Sequence, residues 1–163
     1  MSLSLARCDN ASGGSSPTPG CVIAIGPGKV VYSQSTNPEL VNHIAWAHAS
    51  GLPGNSVDRP IHRTSLTTVI NANRAASCGG APSIAGKQCD EYPFASTYEG
   101  AASGGPVRSF SGCSFPEGFI SSPSGYSHCM INASQNMSGG AILGNIYRQQ
   151  RILDGDPFYV DFV

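Results

Sequence analysis

Six cysteines, an even number, restrict the possible folds of this 163-residue sequence more than any other feature. They occupy positions 8, 21, 78, 89, 113 and 129, without a CxxC pair and without histidines at zinc-finger spacing. Disulfide bonds are therefore favoured over a metal cluster. Disulfides in turn indicate an oxidising compartment and a secreted protein.

The number of cysteines alone does not determine how they pair, because six cysteines allow fifteen connectivities. We predict that sequence neighbours pair, as Cys8–Cys21, Cys78–Cys89 and Cys113–Cys129, which closes three short loops. In the chain-entropy model each such loop stabilises the fold by about 2–4 kcal/mol.

The composition fits one domain that is rich in turns. Charged residues make up 12% of the chain, about half the usual share, whereas Gly, Pro, Ser and Asn are abundant. The formal net charge of −1 provides no overall attraction to nucleic acid, so an anionic substrate would depend on local basic residues or a bound cation. No apolar run approaches the ~20 residues of a transmembrane helix, and no membrane partner is predicted.

Three carboxylates are concentrated within ten positions of a chain that has ten Asp and Glu residues in all. Residues 89–100 are Cys-Asp-Glu-Tyr-Pro-Phe-Ala-Ser-Thr-Tyr-Glu-Gly, which places Asp90 beside Glu91 and Glu99 shortly after them. Close like charges cost stability unless a cation or hydrogen bonds offset their repulsion. A divalent metal is the obvious partner, because hard cations take oxygen ligands.

The hydrophobic pattern predicts an α+β fold with a small antiparallel sheet and packed helices. Strands are predicted at residues 21–25, 29–32, 107–110 and 158–163, and the stretch around Asp90 is expected to be a strand edge or an irregular loop. Helices are predicted from Asn37 to about His48, from Ser65 to about Ala76 and from Ser138 to about Gln149.

Single positions of these helices carry further predictions. His43 is interpreted as a packed or surface histidine of the first helix. The buried residues predicted for the second helix are Val69, Ile70 and Ala72. Asn136 is expected to cap the third helix, because asparagine near a helix start accepts backbone N–H bonds.

The chain divides into an N-terminal extension, residues 1–35, and a domain of residues 36–163. Residues 9–20 have the composition of turns and linkers. A bond between Cys8 and Cys21 would make them a tethered loop, so the extension is expected to form one compact unit with the domain.

Residues 89–97, with Glu99-Gly100-Ala101 after them, resemble the signature of the NucA/NucB family of secreted deoxyribonucleases. Supporting segments keep the same order over roughly residues 40–163. These segments are His43-Ile44, Gly51-Leu52-Pro53, residues 73–78, Asn136 with Gly139-Gly140, and residues 151–158.

The resemblance implies a fold similar to the ββα-metal nucleases, in which a β-hairpin and a helix hold one divalent cation, Mg²⁺ or Mn²⁺, over the scissile phosphate. It implies that Asp90 is the general base, with Glu91 beside it in the catalytic site. The candidate metal ligands are Glu91, Glu99, Asn136 and Asn145. The candidate phosphate contacts are Arg74, Arg148 and Arg151, because a guanidinium group matches phosphate oxygens.

The sequence thus predicts a secreted, metal-dependent endonuclease that hydrolyses DNA. Two alternatives remain. The chain could be the nuclease toxin domain of a larger secreted protein that a protein inhibitor neutralises. It could also be a non-catalytic, cystine-rich binding module.

Overall fold

The computed structural model describes residues 6–11 and 18–163. Its helices are α1 Pro38–Ala49, α2 Thr67–Cys78 and α3 Ala133–Gln149. Its strands are β1 Ala6–Asp9, β2 Gly20–Ile23, β3 Gly28–Tyr32, β4 Ile61–His62, β5 Lys87–Tyr92, β6 Val107–Arg108, β7 Tyr126–Asn132 and β8 Pro157–Phe162. This mixture confirms the predicted α+β class. Within the described residues, no helix combines the length and the apolar character needed to cross a membrane.

The strands form three small sheets. β1 and β2 make an antiparallel pair, β8 is the central strand of β3–β8–β4, and β7 is the central strand of β5–β7–β6. Each three-stranded sheet contains one antiparallel and one parallel pair, so these sheets are mixed rather than wholly antiparallel. The parallel pairs are possible because long connections separate their strands in sequence. β2 and β3, predicted on either side of one turn, belong to different sheets.

The core lies where α1 and α3 pack on the sheets. The buried apolar positions of α1, Leu40, Ile44 and Ala47, follow helical spacing as predicted, with Pro38 in its first turn. α3 meets α1 at Gly139, where a methyl group would lie 2.5 Å from Cδ2 of Leu40. The missing side chain at Gly139 thus allows the two helices to pack closely.

The structure contains the three disulfides that the sequence predicts. Cys8–Cys21 joins β1 to β2, although residues 12–17 of the loop between them lie outside the described residues. Cys78–Cys89 joins the C-terminal end of α2 to β5. Cys113–Cys129 fastens the loop after β6 to β7 and is buried.

The predicted start of the third helix is wrong. α3 begins at Ala133, not Ser138, and its N-cap is Asn132. The side-chain oxygen of Asn132 accepts hydrogen bonds from the backbone N–H groups of Ser134 and Gln135. Asn136, the predicted cap, therefore lies inside the helix.

The predicted buried face of the second helix is also wrong. The residues expected there, Val69, Ile70 and Ala72, are half-buried or exposed, whereas Asn73 and Ser77 are buried. Nδ2 of Asn73 donates to the backbone carbonyl groups of Ala95 and Thr97 at 2.8 and 2.9 Å. The buried face is polar because it satisfies the backbone of the loop that follows β5.

The contact between α1 and α3 gives a stability prediction. Replacing Gly140 with Ala should stabilise the protein by about 0.5–1 kcal/mol, because alanine favours the helix and no atom lies within 4 Å of the new methyl group. Gly139→Ala gains the same helix preference but forces a methyl group into Leu40, so it should be less stable than Gly140→Ala by about 1–3 kcal/mol. Urea unfolding at constant m-value measures the difference. Equal midpoints for the two variants would contradict the close packing at Gly139.

Candidate active site

Asp90 and Glu91 are neighbours on β5, and their side chains leave the strand on opposite faces. Asp90 is paired in register with Cys129 of β7 and contacts α1. Glu91 is paired with His128 and contacts the C-terminal end of α2. Because β5 is an edge strand, both carboxylates reach the same pocket at the edge of the sheet.

Asp90 is held from inside the protein. Its side chain is nearly buried, with the residue 6% exposed, and Oδ2 lies 2.6 Å from Nδ1 of His43. A ring nitrogen this close to an ionised carboxylate carries the hydrogen, so His43 is the donor. Nε2 of His43 lies 3.0 Å from Oγ of Ser127 on β7. Oδ1 of Asp90 accepts no hydrogen bond from any residue that the structure describes, which leaves it available to the pocket.

Glu91 has an unusual protonation state. The pKa of its carboxyl group is raised from 4.5 to about 7, chiefly by burial and in second place by the negative charge of Asp90. Arg74 of α2 and the backbone N–H of Ala95 act in the opposite direction. Sγ of Cys78 lies 3.5 Å from Oε2 as a packing contact, since a disulfide sulfur carries no hydrogen. Glu91 is thus near half protonation at neutral pH.

The two carboxylates line a pocket of about 520 Å³ between β5, α2 and α3. The polar residues of its lining are Tyr32, Arg74, Gln88, Asp90, Glu91, Ser96, Asn136 and Tyr147. Nδ2 of Asn136 donates to Oε1 of Gln88 and to the carbonyl group of Cys89 at 3.2 and 3.4 Å. Its amide oxygen is therefore the end of the side chain that can bind a ligand.

The donors of this pocket fit a hard divalent cation. Carboxylate and amide oxygens, as in Glu91 and Asn136, are the ligand types that Mg²⁺ and Mn²⁺ prefer. Within residues 6–11 and 18–163, no three His, Cys, Asp or Glu side chains come together as a metal cage. A complete cage is not required, because Mg²⁺ at phosphate sites usually binds one or two carboxylates together with water and substrate oxygens.

Four of the predicted ligand and phosphate residues are not brought to this pocket. They are Glu99, Asn145, Arg148 and Arg151. Glu99 accepts hydrogen bonds from the ring Nδ1 and the backbone N–H of His62 at 2.6 and 2.8 Å. Asn145 and Arg148 bond to each other on the exposed face of α3. Arg151 forms an ion pair with Asp9 and so attaches the β1–β2 pair to the domain.

Sequence reasoning missed His43 and Ser127 as parts of the site. His43 lies on the apolar face of α1 between Leu40 and Ile44, so its burial could have been predicted from the helical spacing. A buried imidazole requires hydrogen-bond partners, which is the signal that polar groups of other elements lie beside it. The identity of that neighbour depends on the tertiary fold, because Asp90 lies 47 positions away.

An open pocket with one buried and one half-buried carboxylate, an arginine and amide oxygens defines a site suited to the metal-assisted hydrolysis of a phosphate ester. The sequence model of the family Deoxyribonuclease NucA/NucB matches residues 62–161, more than half of the chain. The chain therefore belongs to this family of deoxyribonucleases. The matched segment includes Arg74, Asp90, Glu91 and Asn136, whereas His43 precedes it. No curated protein matches the sequence significantly.

The raised pKa of Glu91 gives a pH prediction for the metal-free protein. Between about pH 4.5 and 7 the unfolded chain loses the Glu91 proton while the folded protein keeps it, so this carboxyl group makes stability fall as pH rises. The stability of Glu91→Gln relative to wild type should therefore increase as pH rises from 5 to 8, by about 3 kcal/mol at most. Urea unfolding in a chelator at several pH values measures this gain.

The matched control is Asp58→Asn, which removes one exposed carboxylate. Its stability relative to wild type should change little over the same pH range. A difference between Glu91→Gln and wild type that stays constant from pH 5 to 8 would contradict a raised pKa at Glu91.

Proposed function

We propose that this protein is a secreted, metal-dependent endonuclease that hydrolyses the phosphodiester bonds of DNA, with Asp90 as the general base. The observation that carries the proposal is the state of the Asp90 carboxylate. One of its oxygens is fixed by His43, and the other is free at a pocket that also holds Arg74 and Glu91. Membership of a deoxyribonuclease family supports DNA as the substrate.

In this proposal Oδ1 of Asp90 takes a proton from a water molecule while the water oxygen forms its bond to phosphorus. The bond between phosphorus and the leaving oxygen breaks, and that oxygen receives a proton from solvent. Asp90 suits this role because it is nearly buried and already oriented, so little reorganisation precedes the proton transfer.

The other residues of the pocket divide the remaining tasks. Glu91 and the amide oxygen of Asn136 would hold the divalent cation, Mg²⁺ or Mn²⁺. When bound there, such a cation polarises the phosphate and offsets charge on the leaving oxygen. Arg74 is exposed at the pocket, and its guanidinium group can bind the non-bridging phosphate oxygens.

Secretion is supported by the redox chemistry of the chain. All six cysteines are in disulfides, and one of these bonds joins Cys89, the neighbour of Asp90, to α2. Such bonds persist in oxidising compartments and are reduced in the cytosol. We therefore assign the active form to an oxidising compartment outside the cytosol.

Asp90→Asn tests the general base. The amide keeps the size of the side chain but cannot accept the water proton, so the cleavage rate should fall by about 10²–10⁴-fold. Digestion of supercoiled plasmid DNA with Mg²⁺ or Mn²⁺ measures the rate, and circular dichroism confirms the fold. The matched control is Asp58→Asn, which removes an exposed carboxylate away from the pocket. This variant should cleave at the wild-type rate. Digestion by Asp90→Asn at nearly the wild-type rate would contradict the assignment of Asp90 as the general base.

The metal ligands are tested by binding, independently of cleavage. Glu91→Gln and Asn136→Ala should each weaken Mn²⁺ binding by about 10-fold or more, since each removes an oxygen ligand at the pocket. Glu99→Gln and Asn145→Ala are matched controls, because these side chains lie away from the pocket and should leave Mn²⁺ affinity unchanged. Calorimetric titration with Mn²⁺ alone gives the affinities. Weaker binding in the controls and not in the pocket variants would place the cation elsewhere.

A further inference from the structure

We infer that His43 is a positioning residue for Asp90 and that Ser127, His43 and Asp90 act as one hydrogen-bonded row whose carboxylate end meets the substrate. This inference rests on the proposed role of Asp90 as the general base. It adds a residue that lies outside the segment matched by the family, because that segment begins at residue 62.

The burial of Ser127, His43 and Asp90 shows which of the three can meet the substrate. Ser127 and His43 are both 0% exposed, whereas Asp90 lines the pocket. Hydrolases that use serine, histidine and aspartate place the serine at the substrate and the carboxylate innermost. Here the order is reversed, so the buried Ser127 cannot attack a substrate and His43 cannot exchange a proton with a water in the pocket. Asp90 is the member of the row that can exchange a proton with a water in the pocket.

His43 fixes one oxygen of Asp90 and thereby selects the other. Its Nδ1–H donates to Oδ2 over 2.6 Å, which sets the rotation of the carboxylate and leaves Oδ1 for the pocket. Without this bond the carboxylate could turn about its last side-chain torsion, which is broad for aspartate. A base with the wrong orientation loses much of its effect even when its charge is unchanged.

Ser127 holds the second nitrogen of the imidazole. A hydroxyl group both donates and accepts, so Oγ of Ser127 can donate to a neutral Nε2 or accept from a protonated one at the same 3.0 Å. The Oγ atom also lies 3.4 Å from the carbonyl oxygen of Tyr92, a second acceptor. Ser127 therefore supports the imidazole ring on the side opposite to Asp90.

The packing around His43 restricts it further. The ring of Phe110 lies 6.0 Å from the imidazole, centroid to centroid, in a tilted arrangement. α1 carries the histidine and β5 and β7 carry its two partners, so three elements fix one ring. This is the rigid support that a precisely oriented base requires.

Two substitutions at His43 separate positioning from simple space filling. Asparagine can place its Nδ2–H near the position of the imidazole Nδ1–H, and glutamine can place its Nε2–H near the imidazole Nε2. His43→Asn should therefore keep the bond to Asp90, and His43→Gln should keep only the contact with Ser127. Thermal unfolding of both variants and Mn²⁺ titration provide readouts of fold and metal site.

We expect kcat to fall most in the variant that lacks an N–H donor to Asp90. With a short fluorogenic DNA oligonucleotide, kcat of His43→Gln should fall by about 100-fold with KM little changed. kcat of His43→Asn should stay within about 10-fold of wild type. Mn²⁺ affinity should be the same in both. Equal kcat values for the two variants at equal folded fraction would overturn the inference.

A double-variant cycle distinguishes this inference from the proposed base. If Asp90→Asn already removes the base, adding His43→Gln should change the residual rate by less than twofold. A 100-fold further loss in the double variant would overturn the coupling between His43 and Asp90 and leave the base intact. Wild-type activity of Asp90→Asn alone would instead overturn the proposed function, whichever His43 variant is active.

Discussion

The alternation of side chains along β5 is the constraint on which the site depends. Two adjacent carboxylates would repel each other strongly if both were buried on the same face of the sheet. The strand instead places them on two faces with different surroundings. Asp90 meets a hydrogen-bond donor from α1 on one face, whereas Glu91 meets the end of α2 and a disulfide on the other. The same sequence pair thus yields a fixed carboxylate and a carboxyl group whose pKa is raised to about 7.

This arrangement requires both helices to be held firmly against the strand. Cys78–Cys89 ties α2 to β5 one residue before Asp90, and Asn73 of the same helix binds the backbone of the loop after β5. On the other face, α1 approaches β5 and β7, and α3 closes on α1 through Gly139. Four of the nine Lys and Arg side chains are bound to carboxylates of the fold. The ion pairs are Arg7–Asp156, Lys29–Asp161, Lys87–Glu39 and Arg151–Asp9. These pairs reduce the positive charge that the surface presents to a polyanion, which is consistent with the proposed role of Arg74 at the pocket.

The sequence was informative where the determinants are local. The α+β class, the first helix, the three disulfides and the cluster of acids around Asp90 follow from spacing and residue type. Glu99 is close to Asp90 in sequence, but Pro93 ends the strand between them and the chain turns toward His62. Proximity along the chain therefore did not predict a shared site. The buried face of α2 was missed because its polar residues bind backbone groups that only the folded loop presents. His43 was missed as a partner because its neighbours come from β5 and β7.

The position of β8 has a consequence for the synthesis of the protein. β8 is the central strand of its sheet, and it pairs with β3, which comes early in the chain, and with β4. Neither of these strands has its sheet partner until residues 157–162 have left the ribosome. Pairing between strands so far apart in sequence is slow, because the intervening chain must first be ordered. Until then β3 and β4 stay unpaired, so newly made chains pass through a stage in which free strand edges can promote aggregation.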